Sequence, residues 1–242
     1  MDAPDDLIQA VRVGGRLTCL SLLRLLDVFV FASDRVHVHL PGNAARLRSA
    51  TVAGRPLAAR PDRDARLHWA PLLHPDEARS AVVGVVDAVI HAIRCQAPRY
   101  AIATLDSALN RGVIERTDLN DIFHALPAKF RALRRFIDGR AQSGPETLVR
   151  LMVLGLGCSV DLQVQIDGVG FVDLLVDEWL VIECDSRGFH DSWEQRRKDY
   201  RRDLTAATLG FVTLRLTAED ILYRPDAVLS ALRGVLVHGR RP

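Results

Sequence analysis

The chain has 242 residues, 48% of them hydrophobic and 26% charged, with a formal net charge of +2, which is the balance of a folded globular protein. These figures exclude a chain disordered throughout, because enough apolar surface exists to offset the entropy of ordering. They also exclude collagen and coiled-coil classes, since the 16 Gly and 11 Pro follow no period.

No stretch reaches the roughly 18 uncharged apolar residues of a membrane span, so no membrane partner is expected. The opening MDAPDDLIQAV lacks the basic-then-apolar order of a signal peptide, and a cytoplasmic protein is expected. Lys129 and Lys198 are the only lysines, so the positive charge is almost all arginine. Residues 143–242 carry 12 basic against 15 acidic residues, and residues 1–142 carry 20 against 15. A basic first part beside a carboxylate-rich second part fits a partner-binding region next to a metal- or acid-base-using one.

In chain order, residues 5–13 and 18–26 predict two short helices around Gly14-Gly15, with Leu20, Leu22, Leu23 and Leu26 as an apolar stripe. Residues 28–31 and 36–40 flank Ala32-Ser33-Asp34-Arg35 and predict a β-hairpin. Helix, helix, hairpin is the order of a winged-helix module, expected over residues 1–70. The segment 41–66 concentrates arginines, among them Arg46 and Arg48, as either a solvated loop or an arm along phosphates. His37 and His39 alternate on one strand face, with no third metal ligand nearby in the sequence. Cys19, Cys95, Cys158 and Cys184 are far apart and read as reduced, buried apolar residues rather than a disulfide framework or a zinc site.

From Asp76 to about Phe136 the pattern turns helical, with Ala78, Val82, Val85, Val86, Val89, Ile90 and Ile93 as one face. A second helix follows Pro98 and a third starts at Thr117-Asp118, making 71–142 a helical connecting region. The polar, Gly- and Pro-bearing segment Asp138 to Pro145 is the predicted boundary before a domain over 143–242. There the expected order is a helix to about Leu154, strands over 160–166, 171–176 and 179–184, a charged helix over 193–209, a strand over 211–216, and a last helix from Ala218. The whole predicts an α/β protein whose C-terminal mixed sheet is flanked by helices.

Four carboxylates fall at informative positions: Glu146 on the helix, Asp173 within VDLLV, and Glu183 and Asp185 within VIECD. A charge inside an apolar strand costs several kcal/mol unless it is paired or holds a cation. Strand periodicity puts Glu183 and Asp185 on one face and Cys184 on the other. If Asp173 joins Glu183, the oxygen-rich set suits Mg²⁺ or Mn²⁺. Register decides this: a two-residue turn at Asp177-Glu178 would set Asp173 against Ile182, so a three-residue connection or a bulge is expected. Ser143-x-x-Glu146 equally reads as a capping box in which Glu146 takes the Ser143 amide.

A helical Glu, then a strand Asp about ten residues before E-x-carboxylate, resembles the PD-(D/E)xK (restriction-endonuclease-like) nuclease superfamily. SGPETLVR, GFVDLLV, LVIECDSRGFH and RRKDYRRDLTAATLGFVTLRLT are more closely similar to a bacterial family related to very-short-patch-repair (Vsr) endonucleases. GGRLTCLSLLRLL with VHVHLP resembles the end of an AbiEi-type antitoxin domain, which is often fused ahead of that family. The resemblance implies Asp173 and Glu183 as metal ligands and Glu146 as a further ligand or the holder of a bound water. Asp185 stands where many superfamily members have the lysine of ExK, and it is read as a third ligand that could recruit a second metal. Ser186 stands where the related family usually has Gly.

His190 is either a proton acceptor or a loop-closing residue, and Lys198 is the alternative cation. Arg197 and Arg202 are candidate phosphate clamps within a charged face that also holds Arg196, Arg201, Asp199 and Asp203. The expected activity is Mg²⁺-dependent cleavage of duplex or structured DNA, in a monomer or homodimer. The other readings are a DNA-binding regulator or antitoxin-like protein with a degenerate nuclease fold, and a self-associating scaffold.

Overall fold

Pro4 and the acidic pair Asp5-Asp6 open helix α1 (Asp5–Val13), where carboxylates complement the helix dipole. Gly14, at φ 100, ends the helix by turning its N–H back to the Ala10 and Val11 carbonyls. The computed structural model describes residues 4–185 and 193–239, and the chain divides into two units, Met1–Gly139 and Arg140–Pro242. The molecule is of mixed α/β class, and no described helix is long and apolar enough to cross a membrane.

In the first unit, β1 (Arg16–Leu17) leads to α2 (Cys19–Leu25), β2 (Val36–His39) and β3 (Ala65–His68). β2 is the middle strand, antiparallel to β1 and parallel to β3. A Cβ on Gly15 would strike the His39 carbonyl oxygen, so glycine is required where the chain enters β1.

The expected hairpin is a correction. Residues 28–31 form no strand, because their bonding goes to a helix. Asp27 takes φ 58, the Phe29 N–H donates to Ser107 Oγ at 2.9 Å, and Phe31 stacks on Tyr100 with ring centroids 4.2 Å apart. β2 therefore finds its partners in β1 and, much later in the chain, in β3.

α3 (Val85–Cys95), α4 (Pro98–Asn110) and α5 (Asp118–Ala125) follow, then a 3₁₀ segment at Ala128–Phe136. Ala78 and Val82 are not on α3, which starts only after Gly84. Val82 instead bridges to Leu17 in parallel sense. Asp87 is buried on α3, where its two carboxylate oxygens accept the Leu73 and His74 N–H groups at 2.6 and 3.0 Å. That answers the cost of burying a charge.

In the second unit α6 (Gly144–Gly155) is capped by Ser143, whose Oγ accepts the Glu146 N–H at 3.3 Å. β4 (Val160–Ile166), β5 (Gly170–Val176) and β6 (Leu180–Asp185) run antiparallel in sequence. α7 (Trp193–Thr208) is the crossover that lets β7 (Val212–Thr217) lie parallel to β6, and α8 (Ala218–Tyr223) and α9 (Pro225–His238) close the chain. The sheet order is β4-β5-β6-β7. β6 is buried almost throughout, consistent with its apolar run. Ile166, Val169, Val172, Val181 and Ala206 of α7 form a core cluster beside it.

The arginine-rich segment 41–66 is held by Asp64. Its Oδ2 accepts from Ser49 Oγ, from Thr51 N–H at 3.0 Å and from Thr51 Oγ1 at 2.9 Å. Burial pushes this carboxyl up, but those donors outweigh it and hold the group well below the ordinary carboxylate range. A depressed pKa stabilises the fold above the unfolded value and is lost as pH falls through it. Asp64→Asn is expected to cost about 1–2 kcal/mol at pH 7. The gap to wild type should close as pH falls below about 4, read by urea denaturation across pH. A pH-independent gap would contradict this role.

Candidate active site

The β5–β6 connection is three residues long, with Val176 paired to Leu180. Asp177 and Glu178 take left-handed backbone, φ 45 and 65, and the Trp179 N–H returns to the Val176 carbonyl at 3.1 Å. Asp177 Oδ1 also accepts the Ser159 N–H at 2.9 Å, which pins the connection. One further step of the same register sets Asp173 against Glu183, just beyond the last ladder pair, Leu174↔Ile182.

The ladder ends there, and a side chain takes over: Asp173 Oδ2 accepts the Cys184 N–H at 2.8 Å, while the Asp173 backbone N–H favours the ionised form of Glu183. On the other side the ladder also opens: Leu162 pairs with Leu174 and Val164 with Val172, and Gln163, between them, takes φ 53. Glu183 is in turn the register partner of Arg215 on β7. Gln163, Asp173, Glu183 and Arg215 thus form one row across four strands. A non-glycine residue at positive φ inside a strand is the kind of local strain that clusters at functional sites.

Glu146 joins this row from α6. Its Oε2 accepts the Gln163 amide at 3.0 Å and the Gln142 N–H at 2.9 Å. The expected capping box is therefore modified: Ser143 caps, but Glu146 reaches the amide one residue earlier than Ser143. Burial raises the pKa of Glu146, the Gln142 N–H opposes it, and the charge of Asp173 adds to the rise. Glu183 is pushed up to about 7 by burial first and Asp173 second, with Arg202 and Arg215 opposing. The charge of Asp173 thus raises the pKa of both Glu146 and Glu183, a crowding of carboxyls in the manner of acid-base and metal sites.

Arg202 donates to Glu183 Oε1 at 3.2 Å, to the Val169 carbonyl at 3.0 Å, and to the Phe171 carbonyl. This expected phosphate clamp is already engaged, through Nε and Nη2, by three protein oxygens among the described residues. Arg215 forks onto Asp203 at 2.8 and 3.1 Å and stands 3.6 Å from Asp185 Oδ2.

Asp185 is exposed at the end of β6, whereas Glu183 is buried. Lys198 and Arg197 are exposed on α7, and Arg202, not Lys198, brings positive charge to Glu183. Arg46 and Arg48 are exposed in the first unit. His190 and Ser186 lie outside the described residues.

Sequence reasoning missed Gln163 and Arg215; both become legible only once strand register is known. It also separated residues that the fold gathers. Cys19, His37, His68 and Cys95 of the first unit place one ligand atom each within 4.8 Å of one another. His37 does have further ligands beside it, contrary to expectation, but they come from positions 18 to 58 residues away. Comparison with family models, with curated proteins and with solved structures gives no match.

Because Arg202 ties the Val169 carbonyl of the β4–β5 turn and the Phe171 carbonyl of β5 to Glu183, Arg202→Met is expected to lower stability by about 2 kcal/mol. Arg202→Lys should recover less than half of it, since an ammonium cannot span the three acceptors. Chemical denaturation of the three proteins checks this, and full recovery by lysine would contradict the fork.

Proposed function

We propose that the second unit is a restriction-endonuclease-like domain that hydrolyses DNA phosphodiesters with a divalent metal. The observation that carries this reading is the Asp173–Glu183 juxtaposition on adjacent strands, with Glu146 reaching the same row through Gln163. The order of helix, three antiparallel strands, crossover helix and a strand parallel to the third agrees with the nuclease resemblance.

The donor set fits Mg²⁺ or Mn²⁺: it is all oxygen, and its crowded negative charge is what a hard cation relieves. Asp173 and Glu183 would hold the ion, with Glu146 and Asp185 as further carboxylates. A bound ion of this kind supplies Lewis acidity and lowers the pKa of a coordinated water.

The remaining chemistry falls to the chain itself. Glu183 must give up its proton to act as a ligand, and Arg202 and Arg215 favour that ionised form. Arg215, the register partner of Glu183 and the neighbour of Asp185, brings the cation that ExK enzymes take from lysine. In this reading Arg202 Nη1 would meet a phosphate oxygen, while Nε and Nη2 keep their protein acceptors. Trp193, Arg197, Tyr200 and Leu204 are exposed at helical spacing on α7, a stripe suited to bases and backbone of an opened strand. Arg46 and Arg48 of the first unit would add sequence-independent affinity.

A second reading, a DNA-binding regulator with a non-catalytic fold, has one observation in its favour. The Arg202–Glu183 and Arg215–Asp185 ion pairs already answer two of the carboxylates internally.

Nicking of supercoiled plasmid separates the two. Mg²⁺- or Mn²⁺-dependent cleavage is expected, reduced at least about 100-fold by Asp173→Ala and by Glu183→Ala, with both variants folded by circular dichroism. Sequence-specific binding that needs no metal, with no cleavage of any plasmid, would select the regulator.

A further inference from the structure

The first unit brings together four side chains that the nuclease reading does not use. Cys19 is the first residue of α2, His37 lies on β2, His68 ends β3 and Cys95 ends α3. The parallel register pairs His37 with Arg66 and His39 with His68, so His37 and His68 share one face of the sheet. Cys95 stands four residues after His91 on α3, so the two lie on one side of that helix.

The distances are those of a coordination shell. His37 Nδ1 and His68 Nε2 face each other at 3.1 Å, Cys95 Sγ lies 3.8 Å from the same His68 nitrogen, and all four donor atoms fall within 4.8 Å of one another. Tetrahedral zinc with about 2.0 Å bonds to nitrogen and 2.3 Å to sulfur sets donor separations of about 3.3 to 3.8 Å. The separations of 3.1 and 3.8 Å lie close to that range, and the outer limit of 4.8 Å asks a small closing of the side chains onto an ion.

Two sulfurs and two imidazoles are a borderline-soft set. It suits Zn²⁺ and not the hard cations that fit the carboxylates of the second unit.

We propose that Cys19, His37, His68 and Cys95 hold one Zn²⁺ in a closed, four-ligand structural site that ties α2, β2, β3 and α3 together. Cys19 and His37 are buried and the other two half-buried, as a site without a solvent position requires. Cys19 takes φ 54, a conformation that non-glycine residues seldom adopt, at the one position that supplies a donor from α2.

An outer layer orients the ligands. The His91 ring stacks on His68 with centroids 4.8 Å apart, and its Nδ1 is 2.8 Å from Oγ1 of Thr18, the residue before Cys19. His39 stacks on His91 at 5.7 Å, and its Nε2 is 3.1 Å from the Ala70 carbonyl oxygen. A site of this kind ties together segments that lie up to 76 residues apart in the sequence.

The test uses the full chain purified without chelator. About one zinc per chain is expected by elemental analysis, and replacement with Co²⁺ should give the visible bands of a tetrahedral ion plus a thiolate charge-transfer band. Cys95→Ser and His68→Ala should lose at least about 90% of the bound metal. Should these variants fail to fold, His37→Cys decides: it keeps the stoichiometry and shifts the cobalt bands to those of three thiolates. Asp173→Ala should leave zinc content and cobalt spectrum unchanged, which separates this site from the proposed nuclease centre. A chain that takes up neither zinc nor cobalt, cobalt bands unmoved by His37→Cys, or a Cys19–Cys95 disulfide in the purified protein would each overturn the proposal.

Discussion

A half-buried Asp173 and a buried Glu183 stand at the end of the β5–β6 ladder where backbone bonds should continue, and the surroundings of the second unit's sheet follow from that. Asp173 takes the Cys184 N–H, so its side chain replaces a missing ladder acceptor, and the Asp173 N–H favours the ionised Glu183 beside it. Such an exchange satisfies donors but leaves negative charge in a desolvated place, which is costly unless something opposes it. Arg202 from the crossover helix and Arg215 from the parallel strand are the groups that oppose it, and Gln163 gives up regular strand geometry to meet Glu146. The three-residue connection Asp177–Glu178–Trp179 makes the arrangement possible. With one residue fewer, Asp173 would face Ile182 and the carboxylates would lie on opposite sides of the sheet.

Much of the second unit was legible because its signals are local. Alternation in VDLQVQI, the Asp167-Gly168 turn and the charged run from Trp193 each report on a few consecutive residues. The observed elements through β7 fall within a residue or two of those expected, whereas the last helix expected from Ala218 is two, broken at Arg224 before Pro225. The interruption of VDLLV and VIECD by acids also singled out Asp173 and Glu183. Gln163 could not be found this way, since nothing in VDLQVQI marks one polar residue as the member that leaves β-geometry.

The first unit was harder for the same reason. β2 pairs with β3 across a long arginine-rich segment, and a parallel partner has no signature in the residues between. Phe29 and Phe31 look like strand residues but spend their bonding and stacking on α4. The two cysteines and two histidines that the fold gathers carry no short spacing motif. They belong to four elements, and only tertiary structure makes them neighbours.

The two clusters use opposite donor chemistry: oxygen in the second unit, sulfur and nitrogen in the first. Metal preference separates along the same line, so zinc and magnesium would not compete for one place. The proposed structural site in the first unit and the proposed reactive one in the second would divide the labour as the charge does, with the arginine surplus in residues 1–142 and the carboxylate surplus after it.

The central claim is that Asp173 and Glu183 share a cation. Crystals grown with Mn²⁺ and measured for anomalous scattering test it without reference to any substrate. A peak at about 2–2.5 Å from an oxygen of each carboxylate is the expected result. A map with no manganese between them, or with Asp173 and Glu183 on opposite faces of the sheet, would contradict it.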